Sequence, residues 1–398
     1  MRDESGKNGG SRNRPDASTE RKNVVILGAG LSGRGYLARQ MDSRMYRVTF
    51  VDRDEALVGE LQRAGSYRIS FFGNRNRNVV VNGYEAYVVG DQEAERRILE
   101  ADYIFTCVGE ENLREAGAWL GKIWGAGHGR GVTVIAAENG TESRELLEPY
   151  ICGKRKPVRV SRCLMLCTTL SAGQGLDILS EDVDYLPYDR EALDFELPFA
   201  NFEPSEDFDT LIRRKLYTYN SLSACIAYLG ARKGYENYGS AANDTEIARM
   251  TDLLEERLNQ AICAEYRIPR EEQLRFSEMA KRKFRNPEIR DTVTRNARNA
   301  KRKLGAGDRI AGPLKLLESH EIPTAELEIV AAAALWYGIE KEGLGPEAGE
   351  TVGGLFSRLS GSSGRAAAAV ERRYQEFADS PIFSDSSRTK SSAMGVNT

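Results

Sequence analysis

The 398-residue sequence is poor in histidine, with only His128 and His320. Its six cysteines are scattered, and Cys163 and Cys167 form the only closely spaced pair. With so few nitrogen and sulfur ligands, a zinc site of the usual four-ligand kind is disfavoured, and we expect no metal. Most cysteines lie inside apolar runs, which indicates buried free thiols and a cytoplasmic location.

Long apolar runs are also missing. No segment approaches the roughly 18 consecutive apolar residues that a membrane span requires. The N-terminal segment is charged but has no apolar stretch after the charges, so it is not a secretory signal. The 56 Lys and Arg residues against 59 Asp and Glu give a net charge of −3, which favours no polyanionic partner. We therefore expect a protein that binds neither membranes nor nucleic acids.

The length of the chain favours two domains. Residues 1–22 and 381–398 are polar and are predicted to be disordered extensions. Strand patterns are confined to the first half, and the domain boundary is predicted at 195–205, a stretch that contains proline. The prediction is a dinucleotide-binding domain over 23–200 and a helical substrate domain over 201–380.

Alternating strands and helices characterise the first domain. Residues 24–27 form a short β-branched run that leads into glycines, as in a buried parallel strand. A helix is predicted over 31–44 and a second strand over 46–51. Further strands are predicted over 103–108 and 132–137, and an inserted hairpin over 68–72 and 78–81. This order indicates a Rossmann-type, doubly wound parallel sheet.

The second domain has helical periodicity. Strand signals stop near residue 205, and long amphipathic segments follow at 207–230, 244–266, 270–285 and 326–342. The predicted fold class is therefore α/β, with an N-terminal Rossmann-type sheet followed by a mainly α-helical C-terminal domain.

A G-x-G-x-x-G motif lies between the first predicted strand and helix. Gly28 permits the turn, Gly30 lets the backbone approach a pyrophosphate, and Gly33 lets the helix pack on the strand. The helix N-terminus would supply N–H donors to the phosphates. Asp52 ends the next strand 24 residues after Gly28 and would accept hydrogen bonds from the adenosine ribose. This pattern predicts NAD, although Arg53 leaves NADP open; outside this context the glycines would mark only a tight turn.

The segment GAGLSGRGYL at 28–37 resembles the start of the polyol-specific long-chain dehydrogenases, the mannitol dehydrogenase family, and in particular their mannitol-1-phosphate branch. Other segments are similar to family segments in the same order along the chain. They are AEN at 137–139, RKLYTYN at 214–220, KFRNP at 283–287 and RKLGAGDR at 302–309. The resemblance extends from about residue 23 to 340.

The resemblance implies oxidation of a secondary alcohol by NAD. Lys215 would be the general acid/base, since a lysine with a lowered pKa can replace a metal or histidine. Asn220, five residues further along and expected near the same helix face, and Asn139 would hydrogen-bond the reacting oxygen. The alternatives are a solvated surface lysine and two capping asparagines. The residues predicted to contact NAD are Gly28, Gly30, Leu31, Ser32, Gly33, Asp52, Arg53, Val108 and Asn139.

The substrate side departs from the family pattern at two places. Ser223 stands where the family has a histidine that helps to hold the substrate, and serine does not titrate near neutrality. Within 162–166, Met165 and Leu166 replace the acidic and basic residues of a family Val-Asp-Arg segment. These differences indicate a rebuilt substrate pocket.

A basic cluster is retained at the positions where the mannitol-1-phosphate branch is basic. It comprises Arg298, Arg302, Lys303 and Arg309, with Lys283 as a weaker candidate. Such side chains suit a phosphate group, although a solvated helix face would have the same composition. Ser223 and this cluster are the predicted substrate-binding residues.

The leading hypothesis is an NAD-dependent enzyme that interconverts a polyol phosphate and a keto-sugar or aldose phosphate, acting as a monomer or homodimer. One alternative is a dehydrogenase of an unphosphorylated polyol or sugar acid. Another is a protein that binds NAD(H) but has lost turnover.

Overall fold

The computed structural model describes residues 20–379 except 127–130, 139 and 153–156. The chain divides into two compact units between Glu206 and Asp207. His128, Asn139 and almost all of the two predicted polar extensions lie outside the described residues. Lys22, which we assigned to the first extension, is already the first residue of a strand.

The first unit contains twelve strands among its described residues. They are β1 (Lys22–Leu27), β2 (Tyr46–Asp52), β3 (Ser66–Phe71), β4 (Asn74–Asn82), β5 (Glu85–Val88), β6 (Tyr103–Thr106), β7 (Val132–Ala136), β8 (Val158–Arg162), β9 (Thr169–Ser171), β10 (Ile178–Ser180), β11 (Leu186–Asp189) and β12 (Phe202–Ser205). Six of them form one parallel sheet in the order β5-β2-β1-β6-β7-β8. From β1 the chain first adds β2 and β5 on one side and then β6, β7 and β8 on the other. The glycine motif follows β1, at the point where this strand order changes direction.

Both faces of the parallel sheet are covered. Along β1, Val24 and Ile26 belong to one apolar cluster, whereas Val25 and Leu27 belong to another. Successive strand residues point to opposite faces, so a strand that is buried on both sides must be apolar at every position. This requirement explains the uninterrupted run that predicted the strand.

The helices of this unit are α1 (Glu55–Ala64), α2 (Gln92–Glu100), α3 (Leu113–Ala126) and α4 (Ser143–Ile151). The helix predicted over 31–44 ends at Gln40, because Met41 has an extended backbone, and so that boundary was wrong. Most of it is not α-helical. A π-helical turn covers Gly33–Leu37, and a 3-10 turn covers Ala38–Gln40.

A second, mixed sheet has the order β4-β3-β10-β9. The antiparallel β3–β4 pair confirms the predicted hairpin. Six of the described strands were not predicted from the sequence, namely β5, β8, β9, β10, β11 and β12. Of these, β9 and β10 have only three residues each, too few to show an alternating pattern. β11 and β12 form a separate parallel pair.

The regular secondary structure in the described residues of the second unit is helical, apart from one isolated bridge between Asn237 and Thr292. Its helices are α5 (Phe208–Lys215), α6 (Ser221–Arg232), α7 (Tyr238–Ala242), α8 (Thr245–Tyr266), α9 (Arg270–Arg285), α10 (Val293–Ala297), α11 (Ala300–Lys303), α12 (Ala311–Ser319), α13 (Ala325–Glu342), α14 (Val352–Ser360) and α15 (Gly364–Asp379). A π-helical turn, Leu216–Asn220, joins α5 to α6. A sheet-containing unit followed by a helical one confirms the predicted fold class.

Side-chain caps and burial account for the main helices. The Asp244 carboxylate accepts hydrogen bonds from two backbone N–H groups in the first turn of α8, and the Asp207 carboxylate accepts one, from Thr210, in the first turn of α5. α13 is apolar on most sides and is packed in the core of the unit. No helix in the described part of the chain is both long and apolar enough to cross a membrane.

All six cysteines are free. The expectation that most are buried was wrong, since only Cys163 and Cys225 are buried and Cys152 is exposed. Within the described residues, no three or more His, Cys, Asp or Glu side chains group in a way that could hold a metal ion.

Candidate active site

The three motif glycines have different steric surroundings. Gly28 has φ +93°, and a Cβ there would lie 2.3 Å from the Cys107 carbonyl oxygen. A Cβ on Gly33 would lie 2.2 Å from the carbonyl oxygen of Gly28. A Cβ on Gly30 would meet no atom within 4 Å. Two of the glycines are therefore required by the fold itself, and the third leaves open space beside the backbone.

Hydrogen bonds hold the backbone of this loop. The Gly28 N–H donates to the Val51 carbonyl at 2.8 Å, and the Ala29 N–H donates to Asp52 Oδ2 at 2.6 Å. The other oxygen of Asp52 accepts the Asp54 N–H at 3.0 Å. Each carboxylate oxygen keeps further acceptor capacity, so Asp52 is held in place without being saturated.

A cavity of about 370 Å³ lies beside the loop. Five of the residues predicted to contact NAD line it, namely Gly28, Gly30, Asp52, Arg53 and Val108. Leu31, Ser32 and Gly33 are not among its lining residues, and Asn139 lies outside the described residues. Residues that the sequence analysis missed complete the lining: Leu27, Val51, Val89, Cys107, Asn112, Glu115, Ala116 and Trp119.

Glu138 has a role that the sequence analysis did not assign. Its buried carboxylate accepts the N–H groups of Val108 at 2.9 Å and Gly109 at 3.1 Å. Burial raises the pKa of Glu138 to about 7, against the opposing effect of these two hydrogen bonds. Because Val108 lines the cavity, Glu138 supports the cavity wall. A lone acidic residue directly after a buried strand was the available signal.

Lys215, the last residue of α5, is buried, with 7% of its surface exposed. Burial lowers its pKa to about 7, and the nearby positive charges of Lys283 and Arg309 lower it further. Arg213, two residues earlier, is exposed. Lys215 is thus in a different environment from the solvated lysine that the sequence alone allowed.

A π-helical turn connects Lys215 with Asn220. In a continuous α-helix, residues five apart differ by about 500°, which places them roughly 140° apart around the axis. The expectation that a regular helix puts both residues near one face was therefore wrong in its reasoning. The turn Leu216–Asn220 is π-helical, and in such a turn hydrogen bonds join residues five apart. Lys215 and Asn220 are consequently one turn apart, on the same side.

Ser223 lies in the first turn of α6, three residues after Asn220, which immediately precedes that helix. Residues three apart on a helix lie on the same face. Both side chains are half-buried, whereas most other residues of α6 are buried. The Tyr238 hydroxyl donates a hydrogen bond to Ser223 Oγ at 3.0 Å. A second hydroxyl therefore accompanies the serine.

Several of the predicted basic residues interact electrostatically. Arg309 donates to Asp308 at 2.8 Å, and Arg302 lies 3.8 Å from the same carboxylate. Lys303 is buried and donates to the Asn296 carbonyl. Burial lowers the pKa of Lys303 to about 7, and Arg309 and Arg302 contribute to that decrease. Lys215, Lys283, Arg302, Lys303 and Arg309 are called the cation cluster below.

Arg298, by contrast, is exposed at the end of α10. It is not among the charges that shift the pKa of Lys215 or Lys303. In the cation cluster, Arg309 is the residue whose charge lowers the pKa of both Lys215 and Lys303. The hydroxyl of Ser221 on α6 donates to the Arg309 carbonyl at 2.7 Å and holds that residue near α6.

The segment 162–166, which departs from the family pattern, is structural in the first unit. Arg162 is buried and donates twice to Asp189 Oδ2, at 2.6 and 3.1 Å. Met165 is buried in an apolar cluster. A buried ion pair and an apolar side chain thus occupy a segment that we had expected on the substrate side.

Two family models match this chain. The mannitol dehydrogenase Rossmann domain matches residues 22–160, and the mannitol dehydrogenase C-terminal domain matches residues 207–352. The two matches fall on either side of the boundary between the compact units. The first unit is therefore similar to the Rossmann domain of the family, and the second unit is similar to its C-terminal domain.

Curated relatives are similar along most of the chain. The mannitol-1-phosphate 5-dehydrogenase of Pseudarthrobacter chlorophenolicus is 29% identical over 380 residues, covering 90% of this chain and 95% of the relative. The enzyme of that name from Thermoanaerobacter pseudethanolicus is 26% identical over 310 residues, covering 74% and 80%.

Solved structures share the fold at low sequence identity. Pseudomonas fluorescens mannitol 2-dehydrogenase, solved with NAD and D-mannitol, has a TM-score of 0.72 at 12% identity, covering 92% of this chain and 93% of that one. A D-sorbitol dehydrogenase in substrate-free form has a TM-score of 0.66 at 13% identity, covering 91% and 90%.

Proposed function

Because this chain belongs to the mannitol dehydrogenase family of oxidoreductases, we propose that it interconverts a polyol phosphate and a keto-sugar phosphate with NAD(H). The observation that carries the proposal is the position of Lys215. It is buried, it is affected by the positive charges of Lys283 and Arg309, and it lies one π-helical turn from Asn220.

The residues of the first unit fit a dinucleotide. Gly30 lines the cavity of about 370 Å³ and has open space where a side chain would be. Asp52 lines the same cavity, would accept hydrogen bonds from the ribose hydroxyls, and would repel the 2′-phosphate of NADP. NAD, when bound, supplies the hydride acceptor for alcohol oxidation. We propose that Leu31, Ser32 and Gly33 contribute through their backbone.

Lys215 would transfer the proton. As a neutral amine it takes the proton of the substrate hydroxyl during oxidation, and as an ammonium ion it returns that proton during reduction. A pKa of about 7 keeps both forms populated near neutral pH. Asn220 would donate a hydrogen bond to the reacting oxygen as negative charge develops there. We propose the same role for Asn139, on the basis of the family resemblance.

The cation cluster supports a phosphorylated substrate. Arg302, Lys303 and Arg309 bring positive charges together, and Asp308 contacts both arginines. A phosphate dianion would relieve the mutual repulsion and match the forked arginine donors. The curated relatives named above as mannitol-1-phosphate 5-dehydrogenases are in accord with this substrate class. Arg298 would act from the exposed side, and Ser223 would bind a sugar hydroxyl.

The six free cysteines accord with a cytoplasmic location, which we include in the proposal. We also propose that the enzyme acts as a monomer or a homodimer, which light scattering of the purified full-length chain would distinguish.

The experiment is NADH oxidation at 340 nm with fructose 6-phosphate, fructose, and other phosphorylated and free keto-sugars. We expect turnover only with phosphorylated substrates. In Lys215→Ala we expect turnover to fall by roughly a thousandfold or more while NADH binding persists. Lys301→Ala, which changes an exposed lysine of α11, is the matched control and should retain activity.

Other outcomes would identify the alternative functions. Turnover of free sugars or sugar acids alone would contradict the phosphate assignment, and Arg302→Ala and Arg309→Ala would then leave KM unchanged. Tight NADH binding without turnover of any substrate would indicate a protein that binds the dinucleotide without catalysis.

A further inference from the structure

Arg34 is a buried cation that the proposed function does not use. It lies in the π-helical turn Gly33–Leu37 and is 5% exposed. Its Nε donates to the Ala29 carbonyl oxygen at 2.6 Å, and its Nη1 donates to the Leu176 carbonyl oxygen at 2.6 Å. The guanidinium also lies 5.5 Å from the centre of the Tyr67 ring. Arg34 thus connects the glycine loop to the segment that precedes β10.

The bond to Ala29 determines the orientation of one peptide plane. In a planar trans peptide the C=O and N–H groups point in opposite directions. The Ala29 carbonyl points to Arg34, so the N–H of Gly30 points away from Arg34. The preceding peptide is also held, because the Ala29 N–H donates to Asp52. The Ala29–Gly30 peptide therefore cannot turn over while both side chains are in place.

The Gly30 N–H differs from the other polar groups of the loop. The Gly30 carbonyl accepts the Arg34 N–H at 3.0 Å, and the Gly28 and Ala29 N–H groups have the partners given above. Among the described residues, the structure shows no hydrogen bond from the Gly30 N–H, although this residue lines the cavity and is exposed. An oriented donor beside a cavity is suited to an anionic ligand.

We propose that Arg34 is a positioning residue for the dinucleotide: it orients the Ala29–Gly30 peptide so that the Gly30 N–H donates to a phosphate oxygen of the pyrophosphate. This inference rests on the proposed function, since it requires that the cavity binds NAD(H). Arginine suits the task because its planar fork holds two carbonyl oxygens at once, whereas the ammonium group of a lysine is a compact point charge on a flexible stem.

The test measures NADH affinity by fluorescence titration of full-length Arg34→Met and Arg34→Lys, with Tm recorded for each. We expect the dissociation constant for NADH to rise roughly tenfold or more in Arg34→Met, because a charge-assisted hydrogen bond is lost. ADP-ribose, which retains the pyrophosphate, should lose a similar factor. Adenosine, which has no phosphate, should bind as it does to the wild type.

Arg39→Met is the matched control. Arg39 is on the same helical segment, its side chain is 1% exposed, and its guanidinium lies 5.1 Å from the ring centres of Tyr36 and Phe71. It donates to Ser180 and to carbonyls that follow β10, and among the described residues it forms no hydrogen bond with the glycine loop. We expect a lower Tm in both methionine variants, and weaker NADH binding in Arg34→Met alone.

Chemical rescue separates positioning from general destabilisation. Millimolar guanidinium should partly restore NADH affinity to Arg34→Ala and should not affect Arg39→Ala. Equal NADH affinity in Arg34→Met and the wild type would overturn the inference, and so would an equal loss in Arg39→Met. If the wild-type protein itself does not bind NADH, the proposed function fails, and the inference fails with it.

Discussion

The two π-helical turns occupy comparable positions, one in each unit and each beside candidate site residues. Gly33–Leu37 follows the glycine loop, and Leu216–Asn220 follows Lys215. Such turns are rare and are frequent at functional sites. In the first unit a side chain of the turn orients the backbone of the glycine loop, since Arg34 donates a hydrogen bond to the Ala29 carbonyl. In the second unit it acts on side chains, since it brings Lys215 and Asn220 to one side of the helix.

The buried cations at the two turns, Arg34 and Lys215, differ in how burial affects their protonation. Arg34 hydrogen-bonds two carbonyl oxygens and keeps its charge, because an arginine does not lose its proton in a protein. Burial lowers the pKa of Lys215 to about 7, so this residue can exchange a proton near neutral pH. An arginine therefore suits a permanent structural contact, whereas a lysine suits proton transfer.

Among the variants that distinguish the two turns, we expect Asn220→Ala to have the largest effect, a fall in kcat. We expect kcat to fall roughly a hundredfold with little change in NADH affinity, because the proposed donor to the reacting oxygen is lost while the first turn is unchanged. Steady-state kinetics with the phosphorylated substrate would measure it. Tyr217→Phe, on the same turn, is the control and should stay within about twofold. A rise in KM without a fall in kcat would contradict the assignment.

Gly30→Ala and Gly33→Ala should separate binding from packing at the first turn. A Cβ at position 30 would meet no protein atom within 4 Å, so we expect Tm to be nearly unchanged in Gly30→Ala. The added methyl group would occupy the open space proposed for the pyrophosphate, so we expect NADH affinity to fall roughly tenfold. Alanine at Gly33 would place Cβ 2.2 Å from the Gly28 carbonyl oxygen. Overpacking of this kind costs about 1–3 kcal/mol, or roughly 2–12 °C in Tm. Titration and thermal unfolding would measure both, and identical behaviour of the two variants would refute this distinction.

The smallest expected effect is a change in pH dependence. Only the neutral amine of Lys215 accepts a proton, so kcat/KM for oxidation should rise with pH through about 7, and kcat/KM for reduction should fall. Arg309 lowers the pKa of Lys215, and Arg309→Ala should therefore move both midpoints upward, by up to about one pH unit. Lys301→Ala is the control. Unchanged midpoints in Arg309→Ala would show that its charge does not act on the base.

Much of the first site could be predicted from the sequence, because its signals are local. The order of strand, three spaced glycines and a later acidic residue indicated the loop, and five of the predicted contacts line the cavity. Other lining residues, such as Asn112 and Trp119, lie more than 80 residues after Gly30 in the chain. Nothing near the glycines in the sequence points to those residues.

The second site was accessible only through resemblance. Lys215 follows two arginines, which is also the composition of a solvated helix face. Its lowered pKa depends on burial and on the charges of Lys283 and Arg309, which are distant in sequence and act on it only in the folded unit. The π-helical turn has no glycine to mark it in the sequence, so a regular helix was predicted there and the wrong reason was given for pairing Lys215 with Asn220.

The sequence by itself determined six of the twelve described strands, the glycine turn and the change from a sheet to helices. These features depend on side-chain size, backbone freedom and hydrophobic period, which are properties of neighbouring residues. Tertiary structure alone decided which cations are buried, which lysines have a lowered pKa, and that Arg34 holds the glycine loop. Desolvation and charge repulsion depend on residues that are distant in sequence, and they act only after the chain has packed.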